Sequence, residues 1–359
     1  MLERVSVHTV PIGYLPRNAQ MSCRCQSRSI VAAVLAASGA CRGQVSGPLV
    51  AFGQNTFGQL SVPSDNFIAV SCGGITAAGI RADGTLVVWG EPDPIMLNAP
   101  SGTFKQISGG GAFYLAIRTD YTVAGWGYNV GGAAVPPLGT FRKVAAGGQH
   151  SAGVRTDGTL DYWGEWWGGT VPTGNSFIDV AVGGEFTLAL RSDGSVAAWG
   201  RNTHGQLNVP AGSYSAIVAG SKWGGAIGMT GLVTVWGIAP PILGLLAGVP
   251  VTSLISTPAS LLGLRADGQL VGSTNSQPIV PAGVYVAIAG GSGQAMFAIA
   301  ACFANCDFST GTPVLTANDF QCFLDRYVAG SASANCDGTG GLTANDFQCF
   351  INKYVSGCS

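Results

Sequence analysis

A ten-residue segment recurs through most of the chain at a nearly constant interval. Clear copies are RSDGSVAAWG (Arg191 to Gly200), RADGTLVVWG (Arg81 to Gly90) and RTDGTLDYWG (Arg155 to Gly164). The residues at the Trp position lie 37 residues apart, once 36: Phe52, Trp89, Trp126, Trp163, Trp199, Trp236 and Ser273. A fixed period of this size indicates a repeat architecture. Because each copy places a turn between two short apolar runs, it predicts a β-hairpin, and all-β repeats of this length predict propeller blades.

Residues 48–301 contain six complete units and a truncated seventh. The complete units are 54–90, 91–127, 128–164, 165–200, 201–237 and 238–274, and the seventh stops at Ala301, before its last strand. Pro48 to Gly53 matches Thr85 to Gly90 column for column, so the N-terminal segment can supply the missing strand. Closing a ring in this way removes exposed sheet edges. The sequence predicts an all-β seven-bladed propeller closed by its N-terminal strand, with the sixth blade the loosest because Ser273 replaces Trp.

Charge and hydropathy exclude two classes of partner. Residues 1–47 hold five Arg and one Glu, so their removal leaves 12 basic and 17 acidic residues of the original 17 and 18, a net charge of −5. This balance is not the basic footprint that nucleic-acid binding requires. Beyond the N-terminus no run of about 18 apolar residues appears, so we expect no membrane span.

The first 47 residues are expected to be a mis-assigned start followed by a signal peptide. After Met21 come a basic region with Arg24 and Arg28, an apolar run, and the small residues Ser38 to Ala40 as a cleavage site. The sequence therefore favours a secreted or cell-surface protein. A disordered cytosolic tail is the alternative, and lipid modification of Cys41 is a further, less favoured one.

Chemically reactive residues are sparse in the repeats. After the N-terminus only His150 and His204 remain, and both stand in columns that other copies fill mainly with apolar residues. The Asp residues at positions 83, 157, 193 and 267 fall in hairpin turns, where Asp-Gly is favoured for backbone reasons. Cys72 aligns with small residues and is expected inside a strand. We expect a non-enzymatic protein; an exported lyase or glycosidase and a structural spacer are the alternatives.

Variable residues follow the Gly-Gly of each unit and predict a binding face. The candidates are Phe113, His150, Glu185, Phe186, Lys222 and Trp223, with Trp166 and Trp167 beside a shortened loop. Variable aromatic and charged residues on a constant scaffold are typical of a recognition surface. We expect a protein or a carbohydrate as the ligand. The alternative is that these aromatics fill packing gaps within the blades.

Residues 302–359 form a second module with a duplicated segment, LTANDFQCF, at Leu315 and again at Leu342. Each copy follows a loop of oxygen-bearing residues whose spacing predicts calcium binding, with a turn glycine at Gly340. The candidate ligands are Asn305, Asp307, Ser309 and Asp319 in the first loop and Asn335, Asp337, Thr339, Gly341 and Asp346 in the second. Two carboxylates per loop predict weak affinity, about 10⁻⁴ M or poorer. The alternative is a disulfide-stapled tail without metal.

An amphipathic helix is predicted after each loop, and the two are expected to pack face to face. Their apolar residues are Phe320, Phe323, Leu324, Tyr327 and Val328, and Phe347, Phe350, Ile351, Tyr354 and Val355. Six cysteines lie in this module: Cys302, Cys306, Cys322, Cys336, Cys349 and Cys358. Equivalent spacing favours 306–322 and 336–349, with 302–358 joining the ends, among fifteen possible pairings. The cysteine density supports an oxidising, exported location.

Both modules resemble known families. AGGQHS (Ala146 to Ser151) and WGRNTHGQL (Trp199 to Leu207) resemble the regulator of chromosome condensation repeat, in its short-blade bacterial branch with the β-lactamase inhibitory propellers. That resemblance implies blades of about three strands. Residues 302–359 resemble type I dockerin modules that end in Gly-Cys. This second resemblance implies bound calcium and a cohesin-like protein partner.

Overall fold

The computed structural model describes residues 49–65, 67–238, 246–258, 260–273, 285–291, 295–300, 323–324, 327–328 and 343–356. Within these residues, the strands form seven antiparallel sheets of three strands each. One elongated cavity is lined by residues from one strand of every sheet. The architecture is therefore a seven-bladed propeller around a central channel. In each blade the inner strand lines the channel, the middle strand is buried, and the outer strand lies at the rim.

Six blades follow chain order from the inner to the outer strand. Blade 1 consists of β2 (Phe67–Cys72), β3 (Thr76–Arg81) and β4 (Leu86–Gly90). Blade 2 consists of β5 (Phe104–Gly109), β6 (Phe113–Arg118) and β7 (Val123–Gly127). Blade 3 consists of β8 (Phe141–Ala146), β9 (His150–Arg155) and β10 (Leu160–Gly164). Blade 4 consists of β11 (Phe177–Val182), β12 (Phe186–Arg191) and β13 (Val196–Gly200). Blade 5 consists of β14 (Tyr214–Ala219), β15 (Trp223–Gly228) and β16 (Val233–Gly237). Blade 6 consists of β17 (Ser253–Ser256), β18 (Leu261–Leu264) and β19 (Leu270–Ser273). The sixth blade has the shortest strands; that it is the loosest stays a prediction.

The seventh blade joins the two ends of the repeat region. Its inner and middle strands are β20 (Tyr285–Ala289) and β21 (Ala295–Ala300), and its outer strand is β1 (Leu49–Gly53). Antiparallel pairing sets Leu49 opposite Ile299. A bridge between Cys72 and Gly291 also connects the first blade to the seventh. The predicted closure by the N-terminal strand is confirmed.

The first and third residues of the repeated ten-residue segment, Arg and Asp, hold the hairpins of several blades. The Arg guanidinium lies over the Phe ring that begins the inner strand, with carbon-to-centroid distances of 4.8, 4.9 and 4.7 Å for Arg118–Phe104, Arg155–Phe141 and Arg191–Phe177. The Asp closes the hairpin turn, as Asp83 Oδ1 accepts hydrogen bonds from Thr85 N at 2.8 Å and Thr85 Oγ1 at 2.7 Å. These bonds hold the pKa of the Asp83 carboxyl below its usual value. The turn assignment of this Asp column is confirmed.

The Trp of the segment fastens the rim to the linker between blades. Trp89, Trp126 and Trp236 donate their indole N–H groups to the carbonyls of Gln59, Met96 and Gln206 at 2.8, 3.1 and 2.8 Å. Each indole also fills the core beneath the linker. One side chain thus supplies both apolar burial and a hydrogen bond for a buried carbonyl.

The Gly-Gly pairs lie where inner and middle strands meet, around one mouth of the channel. We call this end of the propeller the Gly-Gly face and the opposite end, with the Asp turns, the hairpin face. A Cβ on Gly183 would lie 2.2 Å from the Phe186 ring, and one on Gly74 would lie 2.4 Å from the carbonyl oxygen of Gly111 in the next blade. The first glycine therefore makes room for an aromatic ring, and the second lets adjacent blades approach closely.

Two short helical segments interrupt the linkers. Helix α1 (Pro94–Leu97) begins with a proline and is capped by Asp93, which accepts from Ile95 N at 2.8 Å. A 3₁₀ turn covers Val130–Gly132.

In the second module, helix α2 runs over Ala344–Ser356. The described part of the chain holds no helix long and apolar enough to cross a membrane.

Aromatic residues from the two halves of the second module are in contact. Phe323 stacks on Phe350 with ring centroids 4.0 Å apart, and the Tyr327 and Phe347 rings lie at 6.3 Å. The backbone is helical at Phe323 and Tyr327. These contacts bring together the apolar faces of the two duplicated segments.

Candidate functional site

The predicted binding column divides into buried and accessible residues. Its four rings, Phe113, His150, Phe186 and Trp223, are buried at the first position of their middle strands. The prediction that they line an accessible face is wrong. The reason is packing: rings such as Phe186 lie against the first glycine of the preceding pair, where no Cβ competes for the space. The alternative expectation, gap-filling aromatics, holds for these four.

The accessible candidates include Glu185, Lys222, Trp166 and Trp167, which lie in the loops of the Gly-Gly face or next to them. Glu185 is half-buried and Lys222 is exposed, each one residue before the start of its middle strand. Trp166 is 52% exposed and Trp167 is half-buried in the linker that leaves blade 3. Lys222 belongs to blade 5. The other three, with neighbouring residues of blades 3 and 4, form a surface that we call the blade 3–4 patch: Gln149, Tyr162, Trp166, Trp167, Glu185 and Arg201.

Tyr162 positions the aromatic part of the patch. Its ring contacts Trp166 edge to face at a centroid distance of 5.0 Å and stacks on buried His150 at 5.3 Å. Its hydroxyl donates to the carbonyl of Glu165. Burial raises the pKa of the Tyr162 phenol to about 12, so this hydroxyl keeps its proton at neutral pH. A fixed tyrosine thus holds an exposed tryptophan at the surface.

An ion pair borders the aromatic part. Arg201 Nη1 lies 2.8 Å from both carboxylate oxygens of Glu185, and the Arg201 amide donates to the Glu185 carbonyl at 2.9 Å. At this exposure the pair adds little stability. It does present a positive and a negative group at the edge of the patch, which can orient a polar partner.

Two buried ring nitrogens in or beside the patch lack a hydrogen-bond partner. Trp167 Nε1 and His150 Nδ1 have no partner within the described residues, whereas His150 Nε2 lies 3.2 Å from Thr187 Oγ1. Burial lowers the pKa of His150 to about 4. The neutral imidazole is therefore the form present at physiological pH.

The central channel is the second candidate site. Its cavity has a volume of about 390 Å³, within the range of roughly 300–1,000 Å³ typical of small-molecule pockets. Lys143 Nζ and Asp179 Oδ1 form an ion pair at 3.2 Å across blades 3 and 4, with side chains 16% and 18% exposed. Both are third in their inner strands, so the pair lies in the half of the channel toward the hairpin face.

The candidates of the second module fall mostly outside the described residues. These are Asn305, Asp307, Ser309, Asp319, Asn335, Asp337, Thr339 and Gly341, and the cysteines Cys302, Cys306, Cys322, Cys336 and Cys358. Asp346 is described: its Oδ2 accepts from Thr343 N at 2.7 Å, at the beginning of α2. Cys349 is disulfide-bonded. Calcium binding and the pairing pattern stay predictions.

Within the described residues, two observations bear on metal binding and on the reactivity of Cys72. No group of three or more His, Cys, Asp or Glu side chains there could hold a metal ion. Cys72 is buried, and burial raises its thiol pKa well above the ordinary value. Its Sγ donates to the Ala295 carbonyl at 2.9 Å, so it acts as a packing residue, as expected.

Comparisons with known proteins agree with the blade geometry. The family model for the regulator of chromosome condensation (RCC1) repeat matches residues 177–206, which begin with the inner strand of blade 4. Prp20p from Saccharomyces cerevisiae is similar in structure with a TM-score of 0.60 and 12% identity, over 80% of this chain and 96% of Prp20p. The fold is an RCC1-like β-propeller.

Two further solved structures share this RCC1-like propeller fold. Human WBSCR16 has a TM-score of 0.55 and 19% identity, over 67% of this chain and 88% of its own. The CRINKLY WD40 ectodomain of the Arabidopsis thaliana receptor kinase ACR4 has a TM-score of 0.52 and 21% identity, over 62% and 87%. No curated protein sequence matches the chain significantly. At these identities the likeness shows the fold alone.

Sequence reasoning missed Tyr162, Arg201 and the Lys143–Asp179 ion pair, which we call the channel pair. Comparison of equivalent positions between blades carries a signal for Tyr162 and for the channel pair. The column of Tyr162 holds Val88, Gly125, Ala198 and Val235 in other blades. The column of Lys143 and Asp179 holds Ala69, Gln106, Ala216, Ser253 and Ala287. A large aromatic residue marks the first site, and a charged residue in a column of uncharged ones marks the second.

Proposed function

We propose that this protein is an exported, non-enzymatic binding protein. Its RCC1-like propeller captures a protein partner through the blade 3–4 patch, and its C-terminal dockerin-like module attaches it to an extracellular or cell-surface partner. Trp166 carries the first part of the proposal, because a half-exposed indole held in place by Tyr162 is costly to leave in water. Burying it against a partner recovers that cost.

The chemistry of the patch suits a protein. Tryptophan, tyrosine and arginine are the residues that dominate binding energy at protein interfaces, and all three occur in the patch. The Glu185–Arg201 pair supplies opposite charges at its border. Prp20p, which shares the fold, is a protein whose binding to Gsp1p and histones has been described. A protein ligand for this propeller is in keeping with that use of the fold.

Export and attachment are supported by the sequence. Residues 21–40 have the order of a signal peptide, and six cysteines crowd the last 58 residues. The duplicated loops provide oxygen ligands for calcium, with Asn335 and Asp337 in the better-formed copy. When bound, calcium would order the loops ahead of the helices; a cohesin-like protein is the partner that the resemblance implies.

The rival function is an exported lyase or glycosidase. A glycosidase of the usual kind needs two carboxyl groups about 5–10 Å apart. Of the channel-lining residues that are described, Asp179 is the one with a carboxylate, and it pairs with Lys143. The binding function requires no such cluster and is favoured.

The test of the binding proposal compares patch variants with a matched surface variant. Immobilised wild type, Trp166→Ala, Glu185→Arg and Leu138→Ala would be exposed to extracellular and surface proteins of the source cells, with captured proteins quantified by mass spectrometry. Leu138 is an exposed apolar residue (95%) outside the patch. We expect one partner whose Kd weakens at least about tenfold in both patch variants, as for interface hot spots, and not in the control.

A partner that the patch variants retain at wild-type affinity would refute the patch as the binding surface.

The attachment proposal has its own test: calcium titration of the oxidised full-length protein by calorimetry, with Asp337→Ala and the hairpin variant Asp193→Ala. Saturable binding lost only in Asp337→Ala supports it. Heat changes that are absent, or unchanged in Asp337→Ala, contradict it.

A further inference from the structure

We propose that the central channel binds a neutral polyhydroxylated molecule, a sugar, at the Lys143–Asp179 ion pair. This site is separate from the blade 3–4 patch and does not depend on it. Among the described residues that line the cavity, these two are the charged ones. Their Nζ–Oδ1 distance is 3.2 Å, and both side chains are largely shielded from solvent.

The ion pair is not needed to close the ring. Blades 1, 5 and 7 have Ala69, Ala216 and Ala287 at the same position of the inner strand. Largely buried ion pairs lose much of their attraction to the cost of removing charge from water, and apolar replacements are often equally stable. A pair placed where alanine suffices in other blades therefore points to a use other than folding.

Several other polar side chains on the channel wall form links between neighbouring blades. Ser71 Oγ donates to the Gly290 carbonyl at 3.1 Å and accepts from Gly109 N at 2.9 Å. Gln106 Nε2 donates to the Val144 carbonyl at 2.7 Å. These groups join adjacent inner strands and leave little capacity for a ligand.

Lys143 and Asp179 keep such capacity. Lys143 Nζ lies 3.2 Å from Asp179 Oδ1, which accepts a hydrogen bond from Val180 N at 2.8 Å. Within the described residues, Lys143 Nζ and Asp179 Oδ2 have no hydrogen bond beyond this ion pair. The pair thus offers donors and an acceptor side by side. Neighbouring hydroxyl groups complement it, because each hydroxyl both accepts and donates.

Charge balance favours a neutral ligand. The two charges on the wall sum to zero, and a shielded channel makes an added net charge costly. A hydroxylated ligand can bond to both residues while their ion pair stays intact, and hydrogen bonds to charged groups are the stronger kind. Ala145 and Ala181 lie two residues further along the same strands, are only partly buried, and offer apolar contact for the C–H faces of a sugar ring.

The experiment uses the full-length protein and calorimetry with glucose, galactose, mannose, N-acetylglucosamine and their common disaccharides. Zwitterionic glycine and anionic acetate serve as ionic probes. The key variant is the double change Lys143→Ala and Asp179→Ala, which installs the residue of three other blades; circular dichroism and melting temperature verify its fold. Lys105→Ala removes a cation outside the cavity lining as the matched control.

We expect at least one sugar to bind saturably, with affinity at least about tenfold weaker in the double variant, since bonds to charged groups are lost. Lys105→Ala should match wild type, and so should Trp166→Ala, which separates this site from the patch. The proposal is overturned if none of these sugars binds at millimolar concentrations, if the double variant binds equally well, or if glycine or acetate binds in preference to every sugar.

Discussion

The contribution of the rim indole N–H hydrogen bonds to stability can be tested with two substitutions at equivalent positions. Trp236 donates its N–H to the buried Gln206 carbonyl at 2.8 Å, whereas the buried N–H of Trp199 has no hydrogen bond. The two side chains are 6% and 2% exposed, so they are similarly buried. Phe52 occupies the same column in the seventh blade, which shows that a phenyl ring fits there.

We expect Trp236→Phe to destabilise the propeller more than Trp199→Phe. The lost ring volume costs both variants about 1–2 kcal/mol. Trp236→Phe also loses a hydrogen bond and leaves a buried carbonyl without its donor, about 1–2 kcal/mol more. Trp199→Phe instead removes an unsatisfied donor, which recovers part of its loss. The two variants should differ by about 1.5 kcal/mol.

Scanning calorimetry measures the difference without relying on tryptophan fluorescence. At about 2–4 °C per kcal/mol for a domain of this size, Trp236→Phe should melt roughly 3–6 °C below Trp199→Phe. Trp89→Phe should follow Trp236→Phe, because Trp89 donates to the Gln59 carbonyl at 2.8 Å. Equal melting temperatures, or a lower value for Trp199→Phe, would refute the assignment of stability to these hydrogen bonds.

Three further predictions concern single residues. Tyr121 has φ of 73°, a left-handed conformation that other hairpins give to glycine, so Tyr121→Gly should raise the free energy of unfolding by about 1 kcal/mol, whereas Gly158→Ala should lower it. Below pH 6.5, buried His150 takes up a proton when the protein unfolds, so the free energy of unfolding should fall by up to about 3 kcal/mol between pH 6.5 and pH 4. In denaturation experiments at several pH values, His150→Phe should show a smaller dependence on pH. Cys72 should resist iodoacetamide until the propeller unfolds, as mass spectrometry of its peptide would show.

The sign of the pH effect follows from the lowered pKa of His150. Between its folded value of about 4 and the ordinary value of 6.5, the unfolded chain binds more protons, so acid favours unfolding. Phenylalanine is a suitable replacement because Phe113 and Phe186 occupy the equivalent position. A His150→Phe profile as steep as wild type in this pH range would contradict the explanation.

Regular features of the fold were predictable because the repeat encodes them. The constant Trp spacing predicts the blades, and the match of Pro48 to Gly53 with Thr85 to Gly90 predicts the closing strand. Both depend only on local pattern and on the need to pair strand edges. The pairing of Leu49 with Ile299 bears this out.

The orientation of single side chains was not predictable from the columns. Phe186 and Glu185 are neighbours in a variable segment, but one is buried and the other is half-buried at the surface, because the ring fills the gap above Gly183. Variability alone cannot separate recognition from gap filling. Lys143 and Asp179 depart from columns of small residues, but only their meeting across two blades reveals the channel pair.

Closure by β1 sets an order of events during synthesis of the chain. Leu49 emerges before every other strand of the propeller, and its partner Ile299 is made only with the last of these strands. Until then the ring has two open edges, and such distant pairings form slowly. The C-terminal module follows the last blade in the sequence. Every chain that carries this module has therefore already made all the strands of the ring, so the tail can serve as a marker of chains able to close.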